Sequence, residues 1–303
     1  MNASNPRLSG GSFRPCVALA MLLGLAVAPC LPAAVVTNIY AGPGSTNFGG
    51  SLVFDGDSNS YFEISGGYQV TNTSVSFGSQ DTTKFANALV TGSGTVWYSS
   101  AAWFDFGGNN GLPVGGNNMN LTVSSGATVY AQGILIGRGP LSTNNRFVVT
   151  GGGSLVSNMA NGLYIGYNGS GESFIVRDGA RYSGAGAGLV RVGNTASYAS
   201  SNNLVQVSGA GSLFRTAADV LIGDGNGTWG NQVVVDSEGF LTTVASIEVG
   251  RTGSGSSLLV TNGGHVGVGT IHISKASTSS NNTILISGAG TISVTGTGGT
   301  NAT

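Results

Sequence analysis

The chain has 303 residues, 53 of them glycine, and only 8% are charged, with 11 basic against 12 acidic side chains. So thin and balanced a charge leaves no basic stripe, which argues against nucleic acid or an anionic membrane surface as partner. Val, Ile and Leu placed at regular intervals argue against a disordered coat, because a disordered chain lacks the apolar surface that offsets ordering entropy.

Residues 1–34 have the order of a secretory signal peptide. Arg7 and Arg14 supply a positive start, Val17–Ala28 is an apolar run, and Leu31, Pro32 and Ala33 form a small-residue cleavage site. The apolar run is too short to span a bilayer comfortably, so no membrane span is expected in the chain that remains. Both cysteines, Cys16 and Cys30, belong to this leader. Without them disulfides, a cysteine nucleophile and a cysteine-rich metal site are all ruled out.

Residues 35–59 are irregular, contain Pro43 and are expected to cap the first repeat. Asp55, Asp57 and Asn59 alternate like the ligands of a calcium loop. An EF-hand, however, needs Gly where Ser60 stands and Glu where Gly66 stands, so a turn is the better reading. No metal or cofactor is expected anywhere in the chain.

From residue 60 to 295 one pattern recurs nine times, at spacings of 25–33 residues. It opens on an apolar pair two residues apart: Phe62/Ile64, Ala88/Val90, Leu121/Val123, Phe147/Val149, Phe174/Val176, Val205/Val207, Val233/Val235, Leu258/Val260 and Ile284/Ile286. That spacing puts both members on one face of a strand. A Gly-rich corner comes next. Six residues past each pair a second inward face is expected at Val70, Val96, Val129, Leu155, Tyr182, Leu213, Leu241, Val266 and Ile292. A third strand ends in an apolar residue followed by Gly, as at Ile136–Gly137, Ile165–Gly166 and Ile222–Gly223. Asn59, Asn87, Asn118, Asn145, Asn203, Asn231 and Asn282 precede the first strand, where stacked amides can bond from one repeat to the next.

Period-2 faces without a helical stretch predict an all-β solenoid. The expected form is a right-handed parallel β-helix of about nine rungs, three short strands per rung, roughly 40 Å long at ~4.8 Å per rung. Residues 296–303 read as a Gly/Thr tail that leaves the last rung uncapped, as if a partner or sorting segment were missing.

The leader, the NN-x-V-x-V-x-G-x-G-S-L units and the I-G motif resemble bacterial exported β-strand repeat proteins. They are similar to autotransporter passenger domains and to repeat proteins with a PEP-CTERM sorting tail. The resemblance implies a β-helix at the cell surface and leaves the activity open, since such passengers include adhesins, surface layers and enzymes. Neither a translocator barrel nor a Pro-Glu-Pro signal is found at the C-terminus.

Candidate chemistry is sparse. The acids Asp219, Asp224, Asp236, Glu238 and Glu248 form the densest acidic region. Asp236 and Glu238 share a local face, but turn carboxylates are the simpler account. Glu248 and His272 occupy the same position in consecutive rungs, where they could shuttle a proton or merely pair across strands. With His265 the only other histidine, a multi-histidine zinc site is unsupported. The best binding hint is aromatic: Trp97 and Tyr130, read as equivalent positions of adjacent units, could hold glycan rings. The resulting expectation is a secreted or surface scaffold or adhesin, without catalytic residues or cofactor. Its partners would be surface glycans or copies of itself, and a polysaccharide lyase or hydrolase is the alternative.

Overall fold

A computed structural model describes residues 37–54, 60–78, 86–108, 115–186, 188–194, 198 and 200–296. The expected leader, the 55–59 loop and nearly all of the tail lie outside the described residues. What remains holds 25 strands and no helix. They form a 10-stranded and a 15-stranded parallel sheet wound into a β-solenoid of nine complete circuits.

The 10-stranded sheet is the first wall. Its register follows the apolar pairs one for one, with Phe147 opposite Leu121 and Phe174, and Val149 opposite Val123 and Val176. The second and third walls share the other sheet. In four rungs they run on as one bent strand, at Val96–Phe106, Thr128–Ile136, Phe240–Val249 and His265–Ile273. The three-strand expectation therefore holds as three walls, with two of them fused where the corner is only a register shift. The segment expected as an irregular cap instead contributes a rung of its own. Thr37–Tyr40, Gly44–Asn47 and Ser51–Phe54 pair in parallel with the next rung.

One part of the expected register is wrong, and the corners explain it. Val96, Leu155 and Leu213 face outward; the buried residues are Trp97, Val156 and Phe214. Most corners use two left-handed residues, such as Asp178–Gly179 at φ 57° and 82°. Three corners instead read Gly-x-Gly followed by Ser or Thr, with both glycines at positive φ, and so carry one residue more. A single added residue turns every later side chain of a strand to the other face. The hydroxyl that ends this longer corner is buried: Thr95, Ser154 and Ser212 accept the N–H of Gly67, Gly126 and Gly179 in the neighbouring rung.

The interior is a continuous apolar column from Leu52 to Val268. Burying each such side chain contributes about 1.5–3 kcal/mol, and this is the main stabilising term. Toward the N-terminus the column is aromatic. Phe54 stacks on Phe77 at 4.3 Å, Trp97 meets Phe104 at 5.0 Å, Phe147 meets Phe174 at 5.2 Å, and Tyr182 stacks on Phe214 at 4.4 Å. Past Phe214 it is aliphatic.

A polar ladder runs beside this column, at the corner that leads into the first wall. Asn145, Asn203, Asn231 and Asn282 fill it as expected, whereas Asn87 and Asn118 stand one residue away, in positions next to Ala86 and Met119. The amide oxygens of Asn145, Asn203, Asn231 and Asn282 accept the backbone N–H of Met119, Glu172, Asn203 and Ser256 in the preceding rung. The ladder also explains the apolar-Gly motif. A Cβ on Gly166, Gly193 or Gly250 would fall on the amide of Asn203, Asn231 or Asn282, and each glycine has φ near +70°.

Candidate functional site

Because the walls are fixed by the columns inside, each outward side chain sits over its equivalent in the next rung. The third wall gathers most of the fold's ion pairs in this way. Asp105 pairs with Arg138, Asp224 with Arg191 at 3.0 Å and Arg251 at 3.1 Å, and Glu248 with Lys275 at 2.6 Å and Arg251 at 3.4 Å. Burial pushes the Asp105 carboxyl up to about 6, although Arg138 pulls it down. Burial likewise raises Asp224 against the pull of Arg191 and Arg251.

The expected Glu248/His272 pair is in register across the wall. Glu248 is nonetheless buried and committed to Lys275 and Arg251, while His272 lies exposed. Asp236 accepts a hydrogen bond from Gln206 Nε2 at 3.0 Å, and Glu238 sits on an exposed left-handed turn at φ 65°. Asp219 accepts from the N–H and hydroxyl of Ser246, at 2.9 and 2.7 Å. No group of three or more His, Cys, Asp or Glu side chains is gathered to hold a metal among the described residues.

Trp97 is misplaced by the longer corner that shifted its strand. It lies opposite Val129, fully buried, with its indole N–H donated to Asn72 Oδ1 at 2.7 Å, so it offers no face to a glycan. The residue opposite Tyr130 is Tyr98, and those two half-buried rings meet on the outside at 5.9 Å. Trp103 leans over Gly133, whose missing side chain leaves room for its ring, and stacks on Tyr164 at 5.5 Å. Tyr167 lies 5.8 Å from Tyr164, with Arg191 5.1 Å over the Tyr164 ring. That cluster is largely closed on itself.

Two residues outside the sequence reading stand out. Glu172 occupies the Asn ladder fully buried, and burial pushes its carboxyl up to about 8 against hydrogen bonds from Ser142 and Asn145 that lower it. Its signal was positional: a Glu three residues after Gly169, where neighbouring rungs place Ser three residues before Asn at Ser142/Asn145 and Ser200/Asn203. Trp229 stands on the outer corner between the third and first walls, in a column otherwise made of Asn117, Thr143, Ser170, Ser201 and Ser254. It is 57% exposed and borders an open cleft of about 370 Å³ with Asn226, Gly227, Thr228, Thr252, Ser254 and Thr278. Reading that corner column, rather than the core columns, would have exposed it.

No family model matches this chain, and no curated protein does. Among solved structures it is similar to a crystal structure of a TibA fragment described as hyper-glycosylated by TibC catalysis. The identity is 15%, the match covers 86% of this chain and 92% of that one, and the TM-score is 0.29. A likeness that slight carries no argument about this chain's role.

Proposed function

We propose that the protein is an exported, non-enzymatic rod that serves as a cell-surface or extracellular scaffold of the adhesin kind, holding surface glycans by repeated weak contacts. The leader-like segment 1–34 supports export. The observation that carries the rest is the use of the wall carboxylates: Asp105, Asp224 and Glu248 are tied to Arg and Lys partners rather than left as a facing acid and base. Glycoside hydrolysis ordinarily needs two such carboxylates across a scissile bond. The outward surface supplies instead Ser, Thr and Asn with scattered aromatics, of which Tyr130 beside Tyr98 remains available to a sugar ring.

A rigid rod with several weak sites gains by avidity, which can exceed single-site affinity by roughly 10²–10⁴. The test is retention of the purified protein on immobilised polysaccharides, competed with the free oligosaccharide of the same sugar. Strong retention with weak competition is expected. Equal affinity for polymer and short oligosaccharide would contradict multivalent holding, and no retention on any surface polysaccharide would remove the glycan reading.

A further inference from the structure

The cleft beside Trp229 combines features that packing does not account for. A solenoid column usually keeps one chemical type, because equivalent residues meet the same neighbours, and here that type is small and polar, hydroxylic from Thr143 on. Ser170 and Ser201 approach at 3.4 Å between their hydroxyls, and Ser254 and Ser280 at 3.3 Å. Trp229 breaks this ladder, yet its ring is neither in the core cluster nor in contact with another ring among the described residues. A large apolar side chain left mostly in water, outside the core and clear of other rings, against the local rule of its column, marks a place shaped for something other than stability.

Its position is nevertheless fixed. The Trp229 carbonyl accepts the Asn202 N–H at 3.1 Å, and the backbone bridges to Ser201 and Ser254 on either side. The preceding residue, Thr228, is buried and donates to the Gly225 carbonyl at 2.8 Å. Across the cleft, Thr252 Oγ1 is shut off from solvent with no hydrogen-bond partner. Gly227 opens the floor: nothing lies within 4 Å of where its Cβ would be.

The lining carries no charged side chain. It offers one indole face, one carboxamide at Asn226 and hydroxyls at Ser254 and Thr278. Its volume is within the range of about 300–1,000 Å³ usual for small-molecule sites. We infer that this cleft binds a neutral saccharide, with the C–H face of one pyranose ring on Trp229 and its hydroxyls on Asn226, Ser254 and Thr278. This deepens the adhesin reading and rests on its glycan class. Nothing acidic faces the ring, so the site holds sugar without cleaving it.

The test uses the three tryptophans as separate reporters. The protein is labelled with 5-fluorotryptophan, and each ¹⁹F signal is assigned by Trp→Phe substitution. It is then titrated with cello-, xylo-, manno- and galacto-oligosaccharides, with oligogalacturonate as the acidic control. The Trp229 signal should shift saturably with at least one neutral series while buried Trp97 stays in place. Trp229→Ala should weaken binding by at least about tenfold and Asn226→Ala severalfold, both with unchanged melting. A Trp229 signal that ignores every neutral series, or moves only with oligogalacturonate, overturns the proposal. If Trp229→Ala is still retained on polysaccharide as wild type is, the site is refuted and the adhesin reading stands. If wild type is not retained either, both fall.

Discussion

Glu172 Oε2 accepts the backbone N–H of Asn145 at 2.9 Å, the same bond that an asparagine oxygen makes elsewhere in the ladder. A longer, ionisable side chain thus does the work of an amide, and the local glycines make room. A Cβ on Gly137 or Gly169 would meet the Glu172 carboxyl arm at 2.5 and 2.7 Å.

The exchange has a cost that depends on pH. Folding raises the Glu172 carboxyl from 4.5 to about 8, so the folded state holds this proton more tightly than the unfolded chain. Its contribution is fully present below the unfolded value and is lost as pH rises through the folded one. Glu172→Gln keeps the acceptor for Asn145 and removes the charge. Denaturant melts should show the two proteins alike near pH 4 and the variant more stable by a few kcal/mol near pH 9. Parallel pH slopes would contradict this account of the ladder.

The longer corner makes a prediction about neighbours in sequence. Phe214 is buried between Phe174 and Tyr182, while Leu213 faces out. Phe214→Ala should cost about 3–5 kcal/mol by the cavity it leaves, whereas Leu213→Lys should cost under about 1 kcal/mol. Chemical denaturation decides, and the reverse order would restore the uniform six-residue corner.

Glycines that follow the third wall should not be equal. Gly193→Ala places a methyl on the Asn231 amide, and Gly227→Ala only introduces a Cβ at φ +80° into open space. The second should cost roughly 1–2 kcal/mol, the strain of a left-handed L-residue. The first should cost more than that, with earlier hydrogen exchange at the Asn203 N–H that Asn231 accepts. Similar losses for both variants would argue that the ladder is not held by this contact.

Trp97 should behave as a core residue. Asn72→Ala strands its indole N–H in the interior and should destabilise by about 1–3 kcal/mol, leaving retention on polysaccharide unchanged. Loss of retention without loss of stability would return Trp97 to the surface.

The first and third walls were legible up to the last rungs, because a period of two and a fixed neighbour leave only one face for pairs such as Val205/Val207 or Val220/Ile222; at the C-terminal end Ile273 and Ile286, expected inside, are exposed. The second wall was not. Corner length decides its register, and Gly209-Ala-Gly211-Ser212 carries one residue more than the Asp178-Gly179 corner, which a fixed spacing count overlooks. That same detail placed Trp97 inside and paired Tyr130 with Tyr98. Glu172 and Trp229 escaped notice because each is a substitution within a column rather than a motif, visible only once the rungs are stacked.

The central claim is that this rod binds and does not cut. The most direct measurement incubates the purified protein with a panel of bacterial and plant polysaccharides, reading bound protein and released reducing ends from the same wells. Binding with no release above the buffer control is the predicted result. Release of reducing ends that disappears in Glu248→Gln would contradict it and identify the third-wall acids as catalytic after all.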